Sequence, residues 1–379
     1  MTRLSEEQKA FVEAIRDFCK REAGTREQRD ALTDGGHTPH NQALYEKIAD
    51  LGWLGIGIPE EYGGAGGGMV DMCLLLEETG RGLLPIASYG VTAIVSGAYQ
   101  RFGTEEQKKE ILGGIVRGRV EAIAMSEPDS GSDVGSLKCR AERRDGGYMI
   151  NGHKTWITAA HQADHILLVC RTDSNGSKHE GLSMISVPTD AAGVEIRGIE
   201  TMGGREVNDV YFTDCFVPEG NLLGTQDQAW MQLMAGLNVE RLIIAAMILG
   251  VGQRAFDDAL EYVKERKQFG RPIGSFQVLK HRIAELATEL ECARLLVYDV
   301  ALKVDDDPNA LFPREASMAK IKATEVAKRV ALEGMQMMGG NGYTTEYEME
   351  RLVRMTLVST VYGGTSEIQR EIVAKTFGL

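Results

Sequence analysis

The chain has 379 residues, 43% hydrophobic and 26% charged, enough for two or three domains with ample core. Its 42 Lys and Arg against 55 Asp and Glu leave a net charge of −13, and no basic cluster offsets it, which excludes an extended nucleic-acid surface. The six cysteines form no C-x-x-C pair, so buried thiols in a reducing compartment are expected. The histidines lack ligand spacing beyond the i, i+4 pair His161 and His165, and no metal is expected.

The N-terminal stretch MTRLSEEQKAFVEAIRDFCKR is amphipathic and mixes acid with base. It fits neither a signal nor a transit peptide and reads as the first helix of a mature, cytoplasmic protein. Helical periodicity continues to about residue 120, broken by EYGGAGGG (61–68). That run misses the G-x-G-x-x-G spacing and follows no strand, so it reads as a loop between helices. From 121 to 225 come short alternating runs: LKCRAER, YMI, HKTWIT, HILLVC, LSMISVP, VEIRGI and DVYFTDCFVP. DGG at 145–147 and Asn151-Gly152, a strong hairpin signal, are among the turns between them. Helical periods return at about 226–264, 276–304, 315–338 and from 366. The expected fold is α+β multidomain: an N-terminal helical domain (1–120), a compact central antiparallel β domain (121–225) and a C-terminal helical bundle (226–379). No segment reaches the roughly 20 apolar residues of a membrane span, and LIIAAMILGVG (242–252) is expected to be a buried helix.

Two stretches point to chemistry. On a helical wheel Leu233, Ile244, Met247 and Val251 lie within about 40° of Glu240, with Leu237 just beyond, which puts a carboxylate amid an apolar stripe. Burial there raises its pKa and makes it a better base near neutrality, although a structural Glu paired with an Arg fits the same pattern. Near the C-terminus, VYGGTSEIQR sets two glycines before a helix start, with Ser366 as N-cap and Gln369 three positions on in the form of a capping box. Glycines let backbone approach a ligand, and free N–H groups at a helix start favour a polarised oxygen.

Further motifs stand in order: SEPDSGSD (126–133), HKTWIT (153–158), ERKQFGRPIGSFQ (265–277) and QMMGGNGY (336–343), followed by VYGGTSEIQ (361–369). Together they resemble the acyl-CoA dehydrogenase family over essentially the whole chain. The resemblance implies FAD as cofactor and an acyl-CoA thioester as substrate. It implies Ser126 beside the flavin, Ser132 between flavin and pantetheine, Trp156 stacked on one flavin face and Thr158 bonded to the reactive ring edge. Arg266, Phe269 and Gln277, and then Gln336, Gly339 and Gly340, match residues that hold FAD bound mainly by a neighbouring subunit. Thr365 and Glu367 match further flavin contacts. A homotetramer (a dimer of dimers) and an electron-transferring flavoprotein as electron acceptor are implied with them.

Many members of that family carry their base directly after the tyrosine of the last loop. Here Tyr362 is followed by Gly363. A branch with long-chain and isovaleryl-type members places the base on the long helix before an Arg, which NVERLIIAA resembles. The resemblance therefore implies Glu240 as base, Arg241 at the substrate and the Gly363 N–H on the thioester carbonyl, giving a trans-2-enoyl-CoA. A same-fold flavin monooxygenase or reductase, a dehydrogenase of carrier-protein thioesters, and a non-catalytic subunit of a hetero-oligomer are the alternatives.

Overall fold

The computed structural model describes residues 4–379, apart from the side chains of Ala235, Leu237 and Asn238. Leu237, expected near the Glu240 stripe, thus lies outside the described residues. In chain order come helices α1 (Glu6–Ala23), α2 (Arg26–Thr33), α3 (Gln42–Asp50), α4 (Met69–Arg81), α5 (Ser88–Phe102) and α6 (Glu105–Val116). Strands follow: β1 (Glu121–Ala124), β2 (Arg140–Arg144), β3 (Gly147–Thr158), β4 (His165–Arg171), β5 (Leu182–Pro188), β6 (Val194–Thr201), β7 (Gly204–Pro218) and β8 (Leu222–Leu223). The chain then returns to helix: α7 (Ala229–Glu265), α8 (Gln277–Asp306), α9 (Pro313–Met338), α10 (Gly340–Tyr343), α11 (Met349–Val358) and α12 (Ser366–Lys375). A short ribbon, β9 (Lys267–Gln268) and β10 (Arg271–Pro272), separates α7 from α8. The segment 61–68 is largely loop, as its glycines imply. The short helices α10 and α11 were not foreseen.

Local chemistry sets several boundaries. Ser5 and Gln8 close a capping box on α1, and Thr104 and Gln107 close one on α6. The hairpin β2–β3 turns at Asp145 and Gly146, where Gly146 has φ 74°. Asn151-Gly152 does not turn. YMI and HKTWIT form the single strand β3, whose register against β7 shifts between Ile150 and Gly152. A side chain at 152 would overlap Cys139, so this glycine marks a bulge with close neighbours. The sheet runs β6-β7-β3-β2-β4-β5-β8, with β1 beside β4. It is mixed where antiparallel pairing was expected, because β1 lies parallel to β4 and β2 meets β4 in parallel at Arg140 and Arg171. β1 enters from the helical region and not through a hairpin, so no tight turn forces it antiparallel.

The chain divides into two compact units. One comprises 32–67 and 85–239, with a core that includes Ile58, Tyr99, Leu112, Leu167, Met184 and Leu233. Within it Lys154 and Glu127, both buried, pair at 2.9 Å; Lys154 also donates to the Met125 carbonyl, and Glu127 accepts the N–H groups of Lys138 and Cys139. Burial favours the neutral acid, but Lys154 and these N–H groups outweigh it and hold the Glu127 carboxyl below its ordinary value.

The other unit comprises the described residues up to Ala31, 68–84 and 240–379. Small residues bring its helices close. A side chain at Gly250 would overlap the Glu77 backbone of α4, and one at Gly252 would overlap Ala327 of α9. Helix α7 is long and apolar enough to cross a membrane, yet 67% of its most apolar stretch is buried in the fold. Five cysteines are buried, and Cys292 is exposed.

Removing one member of a buried pair leaves the other charge uncompensated. Glu127→Ala is expected to destabilise the protein by about 3–5 kcal/mol at neutral pH, read as a fall in thermal midpoint. The gap between wild type and variant should narrow as pH falls from about 4.3 through the lowered native value, because Glu127 gives up its ionised bonds there.

Candidate active site

Helix α7 carries Glu240 where its wall becomes apolar: residues 241–246 are buried around the whole helix, and Met247 is half-buried. Leu233, expected on the same stripe, belongs to the core of the other unit. Glu240 itself is half-buried by surface, less than a mid-stripe position implies. Burial still raises its carboxyl above the ordinary value, opposed by the charges of Arg241 and Lys320. Arg241, one step along the helix, is buried, which lowers its guanidinium against the pull of Glu240.

Gly363 faces this carboxylate. Its φ is 61°, and a Cβ built there would stand 3.8 Å from Glu240 Oε1 and overlap Cδ1 of Ile244, one turn further along α7. Glu240 and Ile244 thus share the ground that a side chain at 363 would take. Among the described residues the N–H groups of Gly363, Gly364 and Thr365 donate no hydrogen bond. Two successive residues with positive φ leave these N–H groups available to an oxygen.

The helix start differs from the expected capping box. Thr365, not Ser366, is the N-cap of α12, accepting the Ile368 N–H at 3.2 Å. Its backbone is extended, whereas Ser366 is already helical. Gln369 consequently reaches past the cap to the carbonyls of Gly363 (2.9 Å) and Gly364 (3.3 Å). Ser366 is buried and its Oγ has no partner among the described residues. It lines a cleft of about 400 Å³ with Thr360, Glu367, Lys328 and Arg329. Glu367 is exposed, its carboxyl held below the ordinary value by its own N–H and by Thr365.

Arg266, Phe269 and Gln277 come together on the segment between α7 and α8. Phe269 (φ 51°) and Gly270 (φ 78°) make the two-residue turn of the β9–β10 ribbon, which leaves the Phe269 ring 92% exposed. Arg266 lines a cleft of about 500 Å³ that also includes Tyr262, Met338 and Asn341. Gln336 is exposed at the end of α9, and side chains added at Gly339 or Gly340 would meet nothing within 4 Å.

In the other unit the four expected residues lie on two adjoining segments. The Ser126 carbonyl accepts the Thr155 N–H at 3.0 Å, which ties the 126–133 loop to β3. Ser132 is exposed on that loop and Thr158 half-buried at the end of β3. Trp156 sits where β3 shifts register against β7, at φ 62°, with 60% of its surface exposed. A left-handed backbone on a bulky residue is strained, and such strain concentrates at functional positions. Taken unit by unit, the large exposed face of Trp156 suits a planar ring, and the open glycines Gly339 and Gly340 with Arg266 on a cleft wall suit a diphosphate, so the residues present fit the parts of FAD.

Sequence reasoning missed Ile244 and Gln369 as shapers of the loop. It also missed Lys320, buried on α9 amid Ala316, Ala319, Ala323 and Ala327. The signal was there: Lys320 falls on the i, i+3, i+4 spacing of that small-residue stripe.

Family models match the chain as the acyl-CoA dehydrogenase N-terminal domain over 5–119, the middle domain over 122–215 and the C-terminal domain over 227–378. A 2-methylacyl-CoA dehydrogenase of Solanum tuberosum is 37% identical across 98% of this chain and 90% of its own. The CarC subunit of the caffeyl-CoA reductase–Etf complex of Acetobacterium woodii is 36% identical across 98% of each. The crystal structure of an acyl-CoA dehydrogenase from Geobacillus kaustophilus superposes with a TM-score of 0.93 at 33% identity, covering 100% of both chains.

Gly363→Ala is expected to lower the thermal midpoint, since a non-glycine residue at φ 61° costs about 1–2 kcal/mol before any overlap. Adding Ile244→Ala should restore the part due to overlap and none of the backbone part. A double-mutant cycle in thermal midpoints reads the coupling, and strict additivity would mean that the two groups do not meet.

Proposed function

The chain belongs to the acyl-CoA dehydrogenase family, flavin-dependent oxidoreductases of acyl-CoA thioesters with FAD as cofactor, and we propose that it oxidises a saturated acyl-CoA to the trans-2-enoyl-CoA with Glu240 as base. The observation that carries this reading is the Glu240 carboxylate facing a glycine whose N–H has no partner among the described residues. A base and an oxygen donor stand side by side, as removal of a proton next to a carbonyl requires.

The thioester carbonyl accepts the Gly363 N–H, which stabilises the enolate charge that develops as the α-proton leaves. Glu240 takes that proton; its raised pKa brings it nearer to the thioester's own acidity and to the working pH. FAD, when bound, supplies the acceptor for the hydride that leaves the β-carbon. Ser126, Ser132, Trp156, Thr158, Thr365 and Glu367 would hold it. Arg266, Phe269, Gln277, Gln336, Gly339 and Gly340 would hold the FAD of a neighbouring subunit within a homotetramer. Ser132 and Arg241 serve the substrate. An electron-transferring flavoprotein takes the electrons, a reading supported by the Etf complex in the name of the Acetobacterium relative.

That relative also favours a second reading, reduction of an enoyl thioester, in which Glu240 returns the proton to the α-carbon. The two directions separate in one experiment. Anaerobic titration with saturated acyl-CoA esters, straight and 2-methyl-branched, should bleach the oxidised flavin of the wild type, and Glu240→Gln should slow the bleaching by about 10²–10⁴-fold. Wild-type flavin that stays oxidised with every saturated ester, yet is reoxidised from its reduced form by an enoyl-CoA, would favour the reductase. Equal rates in wild type and variant would remove Glu240 from the mechanism.

The pH dependence follows from the raised carboxyl. Because the ionised form is the base, the reduction rate should climb with pH through a midpoint above the ordinary glutamate value of about 4.3. Ionising a group whose folded pKa is raised removes stability as pH rises through that pKa. Glu240→Gln is therefore expected to melt above wild type at neutral pH, with the difference vanishing below about 4.3, as thermal scans at several pH values will read.

A further inference from the structure

We propose that Lys320 is a positioning residue for this site, a buried ammonium that braces the 359–364 loop through two of its carbonyls while serving as the counter-charge of Glu240. The proposal rests on the reading of Glu240 as base.

The geometry is specific. Lys320 is fully buried on α9, and its Nζ donates to the carbonyls of Ser359 (3.0 Å) and Gly364 (2.9 Å). These two carbonyls bracket the segment that carries Gly363. Gln369 holds the Gly363 and Gly364 carbonyls from α12. The Gly363 carbonyl held by Gln369 fixes the peptide that carries the Gly364 N–H, and the Gly364 carbonyl held by Lys320 and Gln369 fixes the one that carries the Thr365 N–H. The Gly363 N–H lies on the short segment between these ties and the Ser359 carbonyl. Bracing of this kind matters because misplacing a reacting group by about 1 Å can slow a reaction about 10²-fold.

Lys320 also needs a negative partner, since a buried ammonium without one is strongly disfavoured. The charged groups that act on it are Glu240 and Arg241 of α7, Glu325 of its own helix and Glu367 of α12. Glu325 is engaged by Arg370 at 2.7 Å, Glu367 is exposed, and Arg241 repels. Glu240 remains, and it is the largest of the charges supporting the ammonium. Burial nevertheless lowers Lys320 to about 8. A proton on Lys320 and a negative charge on Glu240 thus support each other, and the two groups titrate as a coupled pair.

The test uses the FAD-loaded protein with lysine labelled at Cε and Nζ, and follows the Lys320 side chain by NMR through a pH titration. In wild type the midpoint is expected near 8, and in Glu240→Gln lower, because the supporting charge is gone. An unchanged midpoint would overturn the counter-charge role, and this measurement does not need a Lys320 variant to fold. The reciprocal experiment is Lys320→Met, which keeps the stem and removes the donors and the charge. Linkage requires the rising limb of its rate–pH profile to move to higher pH by the same increment that Glu240→Gln imposes on Lys320. The limiting rate should fall about 10²-fold with the substrate Kd changed only a few-fold, and Lys320→Arg should recover the position of the limb. A Lys320→Met enzyme with the wild-type profile and limiting rate would overturn the bracing role. If the Lys320 midpoint responds to Glu240→Gln while no thioester reduces wild-type flavin, the pairing stands and the reading of Glu240 as base fails.

Discussion

The site depends on a close contact: a Cβ at residue 363 would overlap Cδ1 of Ile244 and stand 3.8 Å from the Glu240 carboxylate, so side chains from α7 and from the loop compete for the same ground. Here helix α7 supplies the carboxylate. Once α7 supplies it, the loop must yield its side chain, and glycine is the residue that also accepts φ 61°. The exchange keeps what the loop alone can give. Its backbone N–H remains, and with no Cβ beside it the approach to that N–H stays open.

The rest of the loop follows from this constraint. Two glycines in succession would ordinarily make a loose segment, since each loses much conformational entropy on ordering. The chain compensates with polar ties from inside: Lys320 and Gln369 capture the carbonyls of Ser359, Gly363 and Gly364, and Thr365 caps the helix behind them. Carbonyls are held and N–H groups are left free. That asymmetry is what a site for a negatively polarised oxygen requires.

How far this was readable from the sequence varied with the range of the interaction. Glu240 on a helix with Ile244 one turn on is a local fact, and helical period alone brought it out. The helix–strand–helix order is equally local. Asn151-Gly152 misled because the same dipeptide suits a hairpin turn or a bulge, and the choice is made by Cys139, which leaves no space for a side chain at 152. The parallel partner of β1 is likewise decided by β4, about forty residues on. Ser366 and Thr365 are both competent caps, and one residue of register separates them. Lys320 was hidden for a different reason: lysine is normally a surface residue, so a stripe that contains one reads as the edge of a core. Its partners, two backbone carbonyls about forty residues away, have no signature in side-chain pattern.

The same asymmetry between local and distant causes bears on why the site is strained. Trp156 and Phe269 each adopt a left-handed backbone, and each exposes a large aromatic ring. Neither conformation is stable by itself, since a left-handed residue costs about 1–2 kcal/mol and an exposed ring forgoes burial. Each is imposed by a rigid frame: a register shift in a long strand for Trp156, a two-residue ribbon turn for Phe269. A ligand that covered either ring would return the burial that folding withheld there. Glu240 follows the same logic in charge. Its raised carboxyl is a liability to the folded protein near neutrality and would be a benefit to the proton transfer proposed for it, and both arise from the same loss of water.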